Sequence, residues 1–119
     1  PLPSPPEPTG SFHSLAVADF DLDGDQDIFC GEQEDPSWPG MKTPGLQERG
    51  FIWENVGDKK QPRFLLKIIQ TDNPGWHEVQ TGDVDGDGDV DIVSKVWFKD
   101  GDHYHADYWE NLFIARPKD

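Results

Sequence analysis

The sequence predicts an all-β protein made of two copies of a four-stranded unit. Short apolar runs recur between clusters of Gly, Pro, Asn and Asp, and no helical periodicity occurs along the 119 residues. A run of alternating aspartates occurs twice, at residues 19–27 and 83–91, each time between two strand-like segments. Four short strands per unit are typical of a β-propeller blade, with a compact two-sheet sandwich as the rival arrangement.

The first unit spans residues 13–76 and follows a proline-rich lead-in at residues 1–12. Five of the first ten residues are proline, which predicts a linker or a packed extended arm rather than a strand. The connection 33–50 is too rich in Pro and Gly for regular structure, and loops of this length are often functional. The predicted strands of this unit are residues 14–20, 27–32, 51–56 and 63–70.

The second unit, residues 77–119, repeats the first in a shorter form. Asp83 matches Asp19, and the same Trp-Glu-Asn tripeptide occurs at Trp53-Glu54-Asn55 and at Trp109-Glu110-Asn111. Little chain follows the last predicted strand, so we expect the second blade to be incomplete. Two such blades would expose large apolar faces, which we expect further blades or other copies of the chain to cover. The predicted strands of this unit are residues 78–82, 91–98 and 108–113.

Composition narrows the possible functions. The chain carries 24 acidic and 10 basic residues, a net charge of −14, and is therefore a poor candidate for binding nucleic acid through its phosphates. Cys30 is the only cysteine, so no internal disulfide can form, and its apolar neighbours predict a small buried hydrophobic residue. The sequence contains neither a recognisable signal peptide nor a membrane span.

The aspartate runs predict two Ca²⁺ sites. Carboxylates this dense repel one another, and a cation that prefers oxygen ligands removes that cost. An EF-hand needs Glu at position twelve, where this chain has Cys30 and Ser94, so a different calcium loop is indicated. Calcium favours a secreted or periplasmic protein. The predicted ligands are the side chains of Asp19, Asp21, Asp23 and Asp27 with the Asp25 carbonyl, and the side chains of Asp83, Asp85, Asp87 and Asp91 with the Asp89 carbonyl.

A ligand site is predicted at the end of the sheets opposite the calcium loops, where the long connections lie. Aromatic rings stack on the apolar faces of sugars, and nearby polar groups bind the hydroxyls, so we expect a carbohydrate or an extracellular protein as partner. The candidate residues are Trp38, Trp76, His77, Lys95, Trp97 and His105.

Structural explanations stay open for part of this set. Trp53 and Trp109 recur at matching strand positions and are expected in the core. His13 and His77 also match and are equally explained as residues that close the start of a strand.

Two chemical alternatives also remain. His103 and His105 would share one face of a strand and could form half of a metal site, although no third ligand is evident. A polysaccharide lyase would use His77 or Tyr104 as a base and Lys95 to neutralise a uronate. The chain contains no nucleophile elbow, phosphate loop or zinc motif.

Residues 18–28 (ADFDLDGDQDI) and 82–92 (GDVDGDGDVDI) carry a family resemblance. Together with the downstream Trp-Glu-Asn word, they resemble the FG-GAP or VCBS-type repeat. The resemblance implies propeller blades of the integrin-α type, with calcium in the loop between the first two strands. Proteins with such repeats include extracellular adhesion proteins, lectins and secreted polysaccharide-active enzymes. The chain departs from that pattern because it holds fewer than two complete units.

Three functional hypotheses follow. We favour a calcium-stabilised module that binds carbohydrate or protein within a secreted protein. The alternatives are part of a polysaccharide-active enzyme, a lyase or hydrolase with its site opposite the calcium loops, and a purely structural segment of a propeller.

Overall fold

Seven antiparallel strands in two sheets make up the described fold. The computed structural model describes residues 1–33, 44–72, 75–97 and 102–114. Within each sheet, strands that follow one another in the chain pair with one another. The described ranges contain no helix that is long and apolar enough to cross a membrane. The predicted all-β class is confirmed, and neither sheet closes into a barrel. The first sheet contains β1 (Phe12–Ala18), β2 (Asp27–Glu32), β3 (Gly50–Asn55) and β4 (Phe64–Gln70); the second contains β5 (Glu78–Gly82), β6 (Asp91–Lys95) and β7 (Ala106–Trp109).

The last strand differs from its prediction, which placed it at residues 108–113. It ends at Trp109 because the backbone beyond it bonds to side chains rather than to a neighbouring strand. The N–H of Asn111 donates to the Asp91 carboxylate at 2.8 Å, and the N–H of Phe113 donates to Asn111 Oδ1 at 3.1 Å. The structure ends β6 at Lys95, although the N–H of Val96 still donates to the carbonyl of His105 at 3.4 Å. The predicted end of this strand, residue 98, lies outside the described residues.

The main core lies between the two sheets and is centred on Trp76. This indole is fully buried, stacks on Trp109 with 4.7 Å between ring centroids, and also contacts Phe29. It rests against two glycines of the first sheet. A Cβ at Gly31 would lie 2.5 Å from the Trp76 Cβ, and one at Gly50 would lie 2.8 Å from the indole ring. The close packing of the sheets therefore requires glycine at both positions.

A second, smaller core covers the other face of the first sheet. Cys30, Phe51 and Trp53 are buried there, which agrees with the prediction for Cys30 and Trp53. Burial raises the pKa of the Cys30 thiol to about 11, so the residue is a packing group at neutral pH. The proline-rich segment lies over this core, and Trp53 Nε1 donates to the carbonyl of Pro3 at 2.8 Å.

A buried ion pair fixes the proline-rich segment in place. Glu32 is fully buried and accepts two hydrogen bonds from the guanidinium of Arg49, at 2.8 and 2.9 Å. The remaining Arg49 donors reach the carbonyls of Pro6 and Pro8, both at 2.9 Å, and Glu32 also accepts the N–H of Gly10 at 3.0 Å. Of the two sequence-based alternatives, the segment is therefore a packed arm.

Replacing Arg49 should test how much the arm depends on this pair. Arg49→Met leaves the Glu32 carboxylate buried without its counter-charge, and we expect the free energy of unfolding to fall by about 3–5 kcal/mol. Urea unfolding followed by tryptophan fluorescence measures the change. The double variant Glu32→Met/Arg49→Met is the control and should recover most of the loss. A loss below about 1 kcal/mol in the single variant would contradict the role assigned to the pair.

Candidate metal centres

Both aspartate runs form loops between the first two strands of a sheet and bring three carboxylates together. In each loop, one oxygen from each of three aspartates lies within 4.8 Å of the others. Ligands bound to one Ca²⁺ at about 2.3–2.6 Å cannot be more than about 5 Å apart, so this spacing suits a shared ion. The two groups are Asp19, Asp21 and Asp27 in the first loop, and Asp83, Asp85 and Asp91 in the second.

Left-handed backbone conformations fold each loop back on itself. Gly24 and Gly88 have φ angles of 93° and 106°. The loops differ two residues earlier, where the first has Leu22 at φ 58° and the second has Gly86 at φ 80°. Only glycine adopts this region without steric cost, so the first loop carries backbone strain that the second avoids.

The first aspartate of each loop binds backbone N–H groups from the turn. Asp19 accepts the N–H of Asp23 at 3.1 Å and that of Gly24 at 2.9 Å. Asp83 accepts the N–H of Gly86 at 2.7 Å and that of Gly88 at 3.1 Å. These bonds hold the carboxylate at the centre of the loop, where charge would otherwise push it outward.

The last aspartate of each loop is buried, and its hydrogen-bond partners occupy equivalent positions in the two sheets. Asp27 accepts the N–H of Phe20 at 3.0 Å and that of Asn55 at 2.8 Å. Asp91 accepts the N–H of Val84 at 2.9 Å and that of Asn111 at 2.8 Å. Each carboxylate thus joins its loop to the end of the sheet's third strand.

Asn55 and Asn111 bond to the buried aspartates of the candidate sites, and the sequence analysis did not identify them. The repeated Trp-Glu-Asn word was the signal that could have found them, since its last residue contacts the buried aspartate in both sheets. Asn55 Oδ1 also accepts the N–H groups of Gly57 and Arg63, and Asn111 Nδ2 donates to the carbonyls of Phe20 and Val90.

The remaining predicted ligands fall outside the three-residue groups. Asp23 is exposed and accepts the N–H of Asp25 at 2.9 Å, and Asp87 accepts the N–H of Asp89 at 3.1 Å. Asp89 was predicted to contribute only its carbonyl, but its side chain is fully buried. One of its oxygens accepts the N–H of Ile114 at 2.7 Å, while Oδ1 has no hydrogen-bond partner among the described residues.

Crowding changes the acidity of several of these carboxylates. Burial raises the pKa of Asp21 and of Asp27, and neighbouring carboxylates add to the rise in both. At Asp87 the hydrogen bond from the Asp89 backbone lowers the pKa, but desolvation and the nearby Asp85 and Asp89 charges outweigh it, so the net pKa is raised. Each loop therefore holds negative charge at an energetic cost that a bound cation would relieve.

At the opposite end of the sheets, the predicted ligand residues have diverse surroundings. Trp76 belongs to the core, and its complete burial does not fit the predicted stacking on a ligand. His77 lies between the rings of His13 and Trp97, at centroid distances of 4.9 and 4.6 Å. Trp97 is half-exposed and remains accessible to a ligand.

The other candidates are dispersed. Lys95 forms a half-exposed ion pair with Glu78 at 3.0 Å, and His105 Nδ1 lies 3.1 Å from Asp107 Oδ1. Trp38 falls outside the described residues. Within the described part of the chain, no group of three metal-binding side chains includes His103 or His105.

Comparison with known proteins adds no assignment: protein-family models, curated proteins and solved structures contain no match to this chain. The functional argument therefore rests on the geometry of the two loops.

Exchanging the residues at the strained loop position should move stability in opposite directions. Leu22→Gly removes a left-handed leucine and should raise the free energy of unfolding by about 1 kcal/mol in metal-free protein. Gly86→Leu should lower it by a similar amount, although a Cβ there meets nothing within 4 Å. Chemical unfolding of both variants measures the effect. Changes of the same sign would contradict the assignment of strain to Leu22.

The histidine stack should make part of the stability depend on pH. Burial, the nearby His13 and the charge of Lys95 lower the pKa of His77. The unfolded chain therefore binds this proton more readily, and the stability present above the unfolded pKa of about 6.5 is lost as pH falls through the lower folded pKa. We expect the stability difference between wild type and His77→Gln to change between pH 7.5 and 5, measured by urea unfolding.

His103→Gln provides the matched control, because it removes an exposed histidine that lies outside the stack of His13, His77 and Trp97. Parallel profiles for wild type and His77→Gln would show that the stack does not disfavour the proton.

Proposed function

We propose that the chain is a calcium-binding module of a secreted or periplasmic protein, with one Ca²⁺ in each aspartate loop. The observation that supports this proposal most directly is the fully buried carboxylate of Asp89. Its Oδ1 accepts no N–H from the described residues, and its charge lies beside that of Asp87. An ionised oxygen in this position is costly unless a cation or proton compensates it. It belongs to the loop that brings Asp83, Asp85 and Asp91 together. Although Asp89 lies outside that three-residue group, its charge adds to the negative potential that would attract a cation there.

Calcium fits these loops better than other common metals. The grouped ligands are carboxylate oxygens, without the nitrogen or sulfur atoms that zinc and copper prefer. Magnesium demands near-ideal octahedral geometry and keeps much of its water, whereas calcium accepts six to eight oxygens in variable arrangements. Loops closed by short aspartate side chains and flexible glycines suit the larger ion.

We further propose that the two sheets are successive blades of a propeller-type repeat. The matched bonds of Asp27 and Asp91 support this arrangement, as does the way in which the sheets pack. Phe29 faces the other sheet, but its counterpart 64 residues later, Val93, faces away from the core. A sandwich would bring equivalent faces together, whereas blades stack by translation and bring opposite faces together.

We also propose a binding role for carbohydrate or an extracellular protein, which the surface opposite the loops supports. Trp97 and Tyr104 expose large aromatic rings there, and His77 supports the ring of Trp97. Such rings can stack on a sugar face or enter a protein interface. Calcium would then act as a structural ion, remote from the bound partner.

Calorimetric titration of metal-stripped protein tests the calcium proposal. We expect two Ca²⁺ per chain, and a gain in unfolding free energy of about 2.7 kcal/mol when free Ca²⁺ reaches about one hundred times the dissociation constant. Asp21→Asn should remove the site in the first loop and Asp85→Asn the site in the second. Both asparagines can still accept the local backbone hydrogen bond.

The exposed Asp102 provides a control of equal charge, because Asp102→Asn should retain both sites. Absence of binding heat, together with a melting temperature that EDTA does not alter, would refute calcium binding. Equal affinity for Mg²⁺ would refute the choice of metal.

A further inference from the structure

In the contact between the two sheets, one face of the first sheet packs against one face of the second. Each sheet also has an opposite face, which is equivalent to the surface that the other sheet contributes and is partly exposed. The first sheet contributes Phe29 and Ile52, and the second contributes Val79 and Ile92. Matching the sheets by their aspartate loops and Trp-Glu-Asn words gives each of these residues a counterpart in the other sheet. Every counterpart lies on a face turned away from the shared core, because side chains alternate along a strand.

We define the outer face of the first sheet by Phe12, Leu15, Val17, Cys30 and Trp53. Cys30 and Trp53 are already buried in the second core, so the exposed part of this face consists of the three β1 residues. Leu15 is 70% exposed, whereas its counterpart Val79 is 8% exposed against β1. Val17 is also largely exposed. The proline-rich arm covers Trp53 but leaves Leu15 and Val17 of β1 exposed to solvent.

We define the outer face of the second sheet by Gln80, Val93, Lys95, Ala106 and Tyr108. Val93 corresponds to the buried Phe29, and Tyr108 corresponds to Ile52, which packs against the shared core. Both Val93 and Tyr108 are exposed in the isolated chain. The outer face of the first sheet is thus equivalent to the surface that the second sheet buries in the shared core. The outer face of the second sheet is equivalent to the surface that the first sheet buries there.

Side-chain sizes on the two outer faces are complementary. Inside the chain, Trp76 stacks on Trp109 and fills the space above Gly31 and Gly50. The counterpart of Trp76 is Phe12, which packs edge-on against Trp53 with 6.3 Å between ring centroids and remains half-exposed.

The counterparts of the two glycines are Lys95 and Ala106. If the two outer faces came together, the Phe12 ring, which is smaller than an indole, would lie against Lys95 and Ala106, which are larger than glycine. The Lys95 ammonium could then approach the Phe12 ring as a cation.

We propose that a second copy of this chain docks the outer face of its first sheet onto the outer face of the second sheet. The contact repeats the one already present between the sheets, so it is head-to-tail, with different surfaces on the two partners. This inference goes beyond calcium binding and rests on the proposed succession of blades.

Charge sets the conditions for association. The net charge of −14 makes copies repel one another, and this repulsion weakens when salt screens it over about 8 Å or when cations bind the loops. Association should therefore strengthen with ionic strength and with Ca²⁺, while the apolar and aromatic contacts supply the attraction.

Analytical ultracentrifugation of the full chain, in saturating Ca²⁺ and about 0.15 M salt, tests the proposal. We expect the wild type to form species larger than a monomer as concentration rises. Leu15→Lys and Tyr108→Lys each place a charge in one half of the contact and should weaken association by a factor on the order of ten to a hundred. Both positions are exposed, so the isolated fold should persist, as circular dichroism can check.

Mixing the two variants distinguishes a head-to-tail contact from a symmetric one. Leu15→Lys retains an intact second-sheet face, and Tyr108→Lys retains an intact first-sheet face. The mixture should therefore form a one-to-one dimer that grows no further. Leu65→Lys, at a half-exposed position on neither outer face, should associate like wild type.

A wild-type chain that stays monomeric at every concentration, or a mixture that fails to form the one-to-one dimer, would overturn the proposal. Calcium binding without association would refute this inference alone, and association without calcium binding would refute only the calcium proposal.

Discussion

The fold depends on a buried carboxylate at the start of the second strand of each sheet. Asp27 and Asp91 each accept one N–H from the preceding loop and one from the end of the third strand. Removing either carboxylate would leave two backbone donors without partners and separate the loop from its sheet. The same carboxylates belong to the three-residue groups that suit a cation. Folding and metal binding would therefore be linked through single residues.

This arrangement suits a chain with little hydrophobic core. The two apolar clusters are small, and the first sheet needs a proline-rich arm held by the Arg49–Glu32 pair to cover its far side. The raised pKa values of Asp21, Asp27 and Asp87 indicate where negative charge opposes the fold. Cations at those places would turn a repulsive loop into a cross-link.

The position of Trp76 illustrates why a surface role was predicted for a core residue. It follows a turn-rich stretch, just before β5, where an exposed aromatic would be unremarkable. Its burial depends on Gly31 and Gly50, which lie 45 and 26 residues earlier in the sequence and leave space for the indole. Periodicity within a strand carries no information about a cavity made by two glycines in another sheet. Trp53 and Trp109 were predicted correctly as packing residues because they occupy matching strand positions.

The sequence alone determined the all-β class, the position of both aspartate loops and most strand positions, because these depend on contacts between near neighbours in the chain. Alternation sets the strands, and the turn at Gly24 and Gly88 needs only a few residues. The burial of Asp89, the anchoring by Asn111 and the covering arm were decided by tertiary structure alone. Each requires groups from distant segments to meet, as Arg49 meets the carbonyl of Pro6 across 43 residues. Local pattern cannot specify such partners, because their approach depends on how the sheets and loops pack together.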